Sequence, residues 1–351
     1  MIELNSYQAD DVIVIGTSTG GLQALQTIVA GLPSGLPAAV VIVMHVGAHD
    51  SLLPGLLARV AKLPLRHARH NDPLLAGRIY IAPPDHHLLI DRSSGQPRLI
   101  LTRSAKENHV RPAIDPLFRS AAAAYGTHAI GVVLTGRLDD GTMGLAAIKA
   151  CGGHAIVQLP EDAVAPDMPA SALRHVEVDK VLRVDEIAGA LTQMTQDLPH
   201  GKPEPASGGT APVPEWINME NRFATKGSDM DSLARIASPS TFTCPECHGT
   251  LWEVHSKGPR RYRCHTGHAL TERTLASLQE QLVEDALWSA VRALHEKEKL
   301  LRRMAEDAVQ AGLTQSALEH VQQAADAQRS SELLRRLMTT GQHADGVTEQ
   351  A

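Results

Sequence analysis

The sequence predicts an α/β fold: a doubly wound, mostly parallel sheet, followed by a small zinc knuckle and a helical hairpin. Three observations predict it. Short runs of branched apolar residues alternate with amphipathic segments over residues 11–197, as in strands joined by crossover helices. Three cysteines and a histidine fall at metal-ligand spacing over residues 244–268. Behind them, apolar residues recur at helical spacing.

The first region supplies strands and helices in alternation, with short polar turns between them. Strands are predicted at residues 12–15, 40–44, 78–81, 130–134, 155–158 and 180–184. Helices are predicted at residues 22–30, 52–60, 115–124, 143–150 and 185–196. A hairpin is predicted between residues 87–91 and 98–102, turning at 93–95.

The chain is expected to divide into five parts. The predicted divisions are a first domain at 1–197, a flexible linker at 198–243, a zinc knuckle at 244–270, a helical hairpin at 271–340 and a disordered tail at 341–351. The linker is predicted because prolines and glycines recur there and no apolar stripe survives. Within it, Trp216 and Ile217 are expected to dock locally, on the first domain.

The segment GTSTGG at residues 16–21 lies between the first predicted strand and helix. Its serine, Ser18, is therefore at a helix N-terminus, where free backbone N–H groups point outward. Such a serine either cradles a phosphate or acts as a nucleophile beside an oxyanion hole. The glycine spacing fails the dinucleotide pattern, and no lysine follows Gly21 as in a P-loop. A nucleotide-binding module and a simple packing turn stay open beside the nucleophile hypothesis.

A serine nucleophile needs a base and a group that orients the base. His45 ends the second predicted strand, and Asp140 follows the strand predicted at 130–134. Since the carboxyl ends of parallel strands gather at one sheet edge, Ser18, His45 and Asp140 are expected to converge there. Each residue alone has an ordinary structural explanation. Together they predict a Ser-His-Asp catalytic triad.

These motifs resemble the catalytic domain of the chemotaxis protein-glutamate methylesterases, the CheB family. The resemblance covers roughly residues 10 to 195 and includes GTSTGG, His45, LTG at 134–136 and DG at 140–141. Supporting stretches are IYIAPPDHH at 79–87 and RPAID at 111–115. The chain order Ser, His, Asp differs from the Ser, Asp, His order of α/β-hydrolases.

The resemblance implies an enzyme that hydrolyses glutamate γ-methyl esters on methylated chemoreceptor helices, with deamidation of receptor glutamine as a further activity. It implies that Ser18 is the nucleophile, His45 the base and Asp140 the group that orients His45. It implies no cofactor for catalysis. Arg103, Lys106 and Arg111 are expected either to steer an acidic receptor helix or to form a solvated basic face.

The chain departs from the family pattern beside the expected site. Arg137 and Leu138 replace the usual methionine and glycine, Asp139 replaces asparagine, and Val46-Gly47 replaces Met-Pro. Asp139 is expected to raise the pKa of Asp140 by like-charge repulsion. These changes keep a second hypothesis open, a catalytically weakened adaptor. Because the first strand begins near residue 11, we also expect a stand-alone form without the receiver domain of well-known family members.

The second signal is the spacing Cys244-x₂-Cys247-x₁₆-Cys264-x₃-His268. Three thiolates and one imidazole are what a closed, tetrahedral structural zinc site requires. His248 and His265 are alternative candidates for the fourth ligand position. A catalytic zinc needs an open coordination position, which this pattern does not indicate. Because so short a segment lacks a core, the metal would supply its folding free energy.

The apolar stripe of residues 275–294 and that of 318–338 predict an amphipathic helical hairpin. It packs either on itself or the knuckle, or against chemosensory signalling proteins as partners. A net charge of −6 offers no electrostatic argument for nucleic acid. The apolar runs are too short for membrane insertion, and the polar N-terminus predicts no secretory signal. A cytoplasmic location is therefore expected.

Overall fold

The computed structural model describes residues 8–47, 49–198, 213–227, 229–255 and 258–341. The strands are β1 (Asp11–Thr17), β2 (Ala38–Met44), β3 (Leu65–His67), β4 (Arg78–Ile81), β5 (His87–Asp91), β6 (Arg98–Thr102), β7 (Ala129–Val133), β8 (His154–Gln158), β9 (Lys180–Leu182), β10 (Ala237–Thr243), β11 (Thr250–Val254), β12 (Arg261–Cys264) and β13 (Ala269–Thr271). The helices are α1 (Gly21–Gly31), α2 (Leu53–Ala58), α3 (Ile114–Tyr125), α4 (Thr142–Ala150), α5 (Asp167–His175), α6 (Val184–Asp197), α7 (Glu215–Lys226), α8 (Met230–Ile236), α9 (Glu272–Gln310) and α10 (Thr314–Gly341).

Seven parallel strands form the central sheet, in the order β3-β4-β2-β1-β7-β8-β9. Both faces are buried. Val12 and Val14 point into a core shared with α3 and α4, whereas Ile13 and Ile15 point into a core shared with α1 and α6. Two covered faces explain the near-continuous apolar strands. The predicted doubly wound α/β fold is confirmed.

The strand order reverses between β1 and β7. From β1 the sheet proceeds through β2 on one side, and from β7 through β8 on the other. In open α/β sheets, the crevice at such a reversal lies outside the carboxyl ends of the strands and is where ligands bind. The fold therefore directs attention to the residues that follow β1, β2 and β7.

In the first domain, sequence patterns missed two short elements, β3 and α5, and misplaced several boundaries by one or two residues. β3 has three half-buried residues, and α5 contains Pro169 near its start, so neither has a clear period. The strand predicted at 180–184 ends at Leu182, because Arg183 caps α6. The predicted hairpin of β5 and β6 is present with the expected bounds.

The prediction of a flexible linker is wrong for its second half. Residues 213–243 contain α7, α8 and β10, while residues 199–212 lie outside the described part. Ile217 is fully buried in the first core and Trp216 packs at its edge, as expected for these two residues. The stripe of α7 was hidden because its buried face includes the charged residue Glu220.

Strands β10 to β13 form a second, antiparallel sheet in the order β10-β11-β12-β13. This sheet begins at Ala237, whereas the zinc knuckle was predicted to begin at residue 244. A small core joins it to α7 and α8 through Phe223, Leu233 and Val254. The second sheet therefore has an apolar core, and a metal ion would not be the only source of its folding free energy. The described residues up to Leu275, which include both sheets, form one compact unit.

The second compact unit, from Ala276 onward, contains most of α9 and all of α10. The predicted helical hairpin is present and turns at Gly312, whose φ is +73°. Small residues such as Ala305 and Ala324 are buried in it, while Trp288 and Leu300 are exposed. No described helix combines the length and apolarity needed to cross a bilayer. Residues 342–351 lie outside the described part.

Candidate active site

Ser18 lies in the tight turn between β1 and α1. Gly20 adopts a left-handed conformation, with φ of +78°, that turns the chain into the helix. The Ser18 amide donates to the carbonyl of Thr135 at 3.0 Å, which ties this turn to the one after β7. A Cβ at Gly136 would lie 2.9 Å from Ser18 Cβ and would overlap the Met168 sulfur. Glycine at 136 therefore permits the two turns to approach.

His45 follows β2 and bridges Ser18 and Asp140. Its Nδ1 is 3.1 Å from Ser18 Oγ, and its Nε2 is 2.7 Å from Asp140 Oδ2. The carboxylate accepts a hydrogen bond from Nε2–H, so the lone pair of the neutral ring lies on Nδ1, toward the serine. The structure thus brings together the three residues predicted from the sequence, with Nδ1 in the position of a base.

Asp140 is buried and surrounded by donors. Ile114 N donates to Oδ2 at 2.7 Å, and Asn108 Nδ2 and Gly141 N each donate to Oδ1 at 3.0 Å. Burial opposes ionisation, but the hydrogen bond from His45 and those from the other donors outweigh it and lower the pKa of Asp140. The net pKa shift of Asp140 is therefore downward, and any repulsion from Asp139 does not reverse it.

The neighbouring carboxyl groups show the opposite shift. Burial, and then repulsion from Asp140, raises the pKa of Asp115 to about 7. Asp115 Oδ1 accepts from Gly144 N at 2.7 Å, at the start of α4. Burial also raises the pKa of Asp139, whose Oδ1 accepts from Thr271 Oγ1 at 2.7 Å. In this group of three acids, Asp140 is the one whose environment favours the ionised form.

The turn that carries Ser18 and the neighbouring turn after β7 contain backbone N–H groups that are available as donors. Among the described residues, the amides of Thr19, Gly20 and Arg137 donate to no other group, whereas Gly136 N donates to the carbonyl of Ala165. Amides at a helix N-terminus suit an oxyanion. The side chain of Arg137 is exposed beside this turn.

The basic residues of the expected steering face are paired. Arg111 donates to Asp85 through Nε at 2.9 Å and Nη2 at 2.6 Å, and Arg103 also contacts Asp85. These hydrogen bonds, that of Arg111 first, lower the pKa of Asp85 to about 2. Lys106 Nζ is 3.7 Å from Glu246. Partial neutralisation weakens the steering hypothesis.

The four predicted metal ligands form one group. Cys244, Cys247, Cys264 and His268 place their ligand atoms within 4.8 Å of one another. His268 Nδ1 is 3.8 Å from Cys244 Sγ and 3.6 Å from Cys264 Sγ, and the sulfurs of Cys247 and Cys264 are 3.6 Å apart. A tetrahedral zinc site with bonds of about 2.3 Å to sulfur and about 2.0 Å to nitrogen has edges of about 3.5–3.8 Å. The group fits a metal ion of this kind, with His268 as the imidazole.

Two residues beside Asp140 were not recognised as part of the site. Asp115 belongs to the RPAID stretch, yet its contact with α4 depends on tertiary packing. Asn108 is 9 % exposed and adopts φ of +51°. Asparagine tolerates this left-handed conformation better than most residues, but nothing in the local pattern links it to a residue 32 positions away.

Comparisons with known proteins concern the first half of the chain. The family model described as CheB methylesterase matches residues 13–191. A protein-glutamate methylesterase/protein-glutamine glutaminase 2 from Anaeromyxobacter dehalogenans is 40 % identical over 187 residues, covering 53 % of this chain and 54 % of that protein. A relative from Leptospira interrogans, described as a protein-glutamate methylesterase/protein-glutamine glutaminase and assigned only provisionally, is 37 % identical over 188 residues, covering 53 % of this chain and 96 % of that protein.

A solved structure gives the same picture. The catalytic domain of the Thermotoga maritima CheB methylesterase superposes with a TM-score of 0.51 at 34 % identity, covering 52 % of this chain and 98 % of that one. The chain therefore spans about half the length of the Anaeromyxobacter relative and nearly the whole of the isolated catalytic domain.

Proposed function

The chain belongs to the CheB methylesterase family, and from that premise we propose that it hydrolyses glutamate γ-methyl esters on chemoreceptors, using Ser18, His45 and Asp140. The observation that carries the proposal is the hydrogen-bond path from Ser18 Oγ to His45 Nδ1, at 3.1 Å, and from His45 Nε2 to Asp140, at 2.7 Å. The relatives named above are also described as protein-glutamine glutaminases. Deamidation of receptor glutamine is therefore part of the proposal.

In the first half of the reaction, Ser18 Oγ attacks the ester carbonyl carbon while His45 Nδ1 accepts the hydroxyl proton. Asp140 stabilises the imidazolium that forms and keeps the proton on Nε2. The amides of Thr19, Gly20 and Arg137 supply donors for the oxyanion. The carbon–oxygen bond to methanol then breaks, and Nδ1 returns the proton to the leaving methoxide.

In the second half, a water molecule attacks the acyl-enzyme. His45 Nδ1 accepts a proton from this water, and the acyl bond to Ser18 breaks as Nδ1 protonates Ser18 Oγ. The products are a receptor glutamate and free enzyme. The same sequence hydrolyses a carboxamide, with ammonia as the leaving group.

The experiment is methanol release from methylated receptor fragments, with Ser18→Ala beside the wild type. Removing the nucleophile should lower kcat by several orders of magnitude. Ser94→Ala is the matched control, because Ser94 is exposed in the turn of the β5–β6 hairpin. Full activity in Ser18→Ala would contradict the proposal. No release from folded wild type would favour an adaptor that binds signalling partners through its C-terminal helices.

The Cys244, Cys247, Cys264 and His268 group is proposed to hold a structural zinc ion. Bound there, the metal would join the β10–β11 turn to the β12–β13 turn and would add folding free energy rather than reaction chemistry. Cys247→Ser should lose the metal measured by elemental analysis, whereas Cys151→Ser should retain it.

A further inference from the structure

A hydrogen-bond path joins the second sheet to the proposed triad. Thr271 N, on β13, donates to Asn108 Oδ1 at 3.1 Å, and Asn108 Nδ2 donates to Asp140 Oδ1 at 3.0 Å. Asp140 in turn accepts from His45 at 2.7 Å. Thr271, Asn108 and Asp140 are all buried, so water does not replace these bonds readily. Three consecutive hydrogen bonds therefore link β13 to the imidazole of His45.

β13 also holds the backbone on which Asn108 is carried. Asn108 N donates to the carbonyl of Ala269 at 2.7 Å, and Ala269 N donates to the carbonyl of Lys106 at 3.3 Å. Glu107 and Ala269 form a parallel bridge. The loop before α3 thus pairs with the edge of the second sheet. Without β13, both the main chain and the side-chain oxygen of Asn108 would lack these partners.

The side chain of Thr271 makes a second link. Its Oγ1 donates to Asp139 Oδ1 at 2.7 Å and accepts from Thr274 N at 3.2 Å. Asp139 immediately precedes Asp140 in the turn after β7. Thr271 therefore holds this turn by its hydroxyl and the Asn108 loop by its backbone amide.

Buried charges fix the second sheet in this place. Arg263, on β12, donates to Glu107 and to Glu220, each at 3.0 Å, and Arg119, on α3, donates to Glu107 at 2.8 Å. Arg261 contacts Glu220 as well. These five side chains come from the Asn108 loop, α3, α7 and β12. Because a buried ion is costly unless it is paired, loss of any one partner would leave a buried charge uncompensated, which couples the position of β12 to that of the Asn108 loop.

We infer that the second sheet is a working part of the active site: Thr271 and Asn108 are positioning residues that hold Asp140, so that the docking of β13 sets the rate of ester hydrolysis. This inference rests on the proposed function. It also ties the rate to the metal group, because Cys264 ends β12 and His268 precedes β13. Integrity of the β12–β13 turn is thereby a condition for turnover.

The test uses the full chain and two substitutions. Asn108→Gly removes the side chain without strain at φ of +51°. Its matched control is Asn71→Gly, since Asn71 is exposed and has φ of +67°. Thr271→Val removes the hydroxyl at nearly constant volume, and Thr271→Ser restores it.

A displaced catalytic group costs about 100-fold in rate. We expect kcat to fall about 100-fold in Asn108→Gly and about tenfold in Thr271→Val, with KM changed less than about twofold. Thr271→Ser and Asn71→Gly should retain wild-type kcat. Metal content and melting temperature are measured beside each rate, so that a loss caused by unfolding is recognised. Wild-type kcat in both test variants, or losses that only follow the unfolded fraction, would overturn the inference.

A second readout does not depend on the receptor substrate. The rate at which a small fluorophosphonate labels Ser18 reports the activation of the serine by His45 and Asp140. If the wild type is labelled but hydrolyses no methyl ester, the proposed function fails, and slower labelling of Asn108→Gly and Thr271→Val still supports the inference. Equal labelling of all variants overturns it. Absence of both hydrolysis and labelling in the wild type overturns both.

Discussion

Replacing Asp140 by asparagine tests whether a carboxylate is required where only donors converge. Oδ2 accepts from His45 Nε2 and Ile114 N, both at 2.7 Å, and Oδ1 accepts from Asn108 Nδ2 and Gly141 N, both at 3.0 Å. An amide has one oxygen, so its NH₂ must face two of these donors. Leaving a buried N–H without an acceptor costs about 1–3 kcal/mol. With two donors affected, we expect a loss of stability of about 2–6 kcal/mol in urea unfolding.

The effect of Asp140→Asn on rate should be larger. If the amide nitrogen of the introduced side chain faces His45 Nε2, the imidazole proton moves to Nδ1, which then points at Ser18 and no longer accepts its proton. Loss of the orienting carboxylate in a serine triad lowers kcat about 10⁴-fold, or about 5.5 kcal/mol in the barrier. The assay is methanol release under saturating substrate. Asp197→Asn, at an exposed position in α6, is the control. A kcat within about tenfold of wild type would refute the role assigned to Asp140.

Three further predictions concern packing and charge. Glu220→Gln leaves three buried arginines with one fewer carboxylate and should lower the free energy of unfolding by about 3–5 kcal/mol. The control is Glu215→Gln, at an exposed position on the same helix, which should change that free energy little. Equal unfolding curves for the two variants would contradict the charge argument. In Gly136→Ala the added methyl group pushes against the turn that carries Ser18 and should lower kcat about 100-fold. Gly189→Ala, with open space around it, should instead stabilise α6 by up to about 1 kcal/mol. Unchanged turnover in Gly136→Ala would show that the two turns tolerate a side chain. Because the pKa of Asp85 is lowered to about 2 from 3.8, the stability that its carboxylate contributes is present above pH 3.8 and is lost as pH falls through about 2. The urea midpoint of the wild type should therefore exceed that of Asp85→Asn at about pH 5 and approach it near about pH 2. A difference between the two midpoints that persists at the lower pH would argue against this ion pairing.

Sequence periodicity predicted the central sheet because strands buried on both faces must be apolar along their whole length. Periodicity did not predict elements whose buried face carries a charged side chain. α7 was interpreted as part of a linker, since its inward face carries Glu220, whose arginine partners lie at positions 119, 261 and 263. A buried acid is taken for a surface residue until its partners are known. The short strand β3 was missed for a simpler reason, because three residues define no period.

The sequence alone was enough to predict the α/β class, the convergence of Ser18, His45 and Asp140, and the four residues of the Cys/His group, because parallel strands end at one edge and ligand spacing is local. Contacts between distant segments were needed to establish which imidazole nitrogen faces the serine and which way the pKa of Asp140 shifts. It also placed Thr271 and Asn108 beside that aspartate. Those outcomes depend on donors that come from segments up to 163 positions apart in the chain, and no local pattern records such contacts.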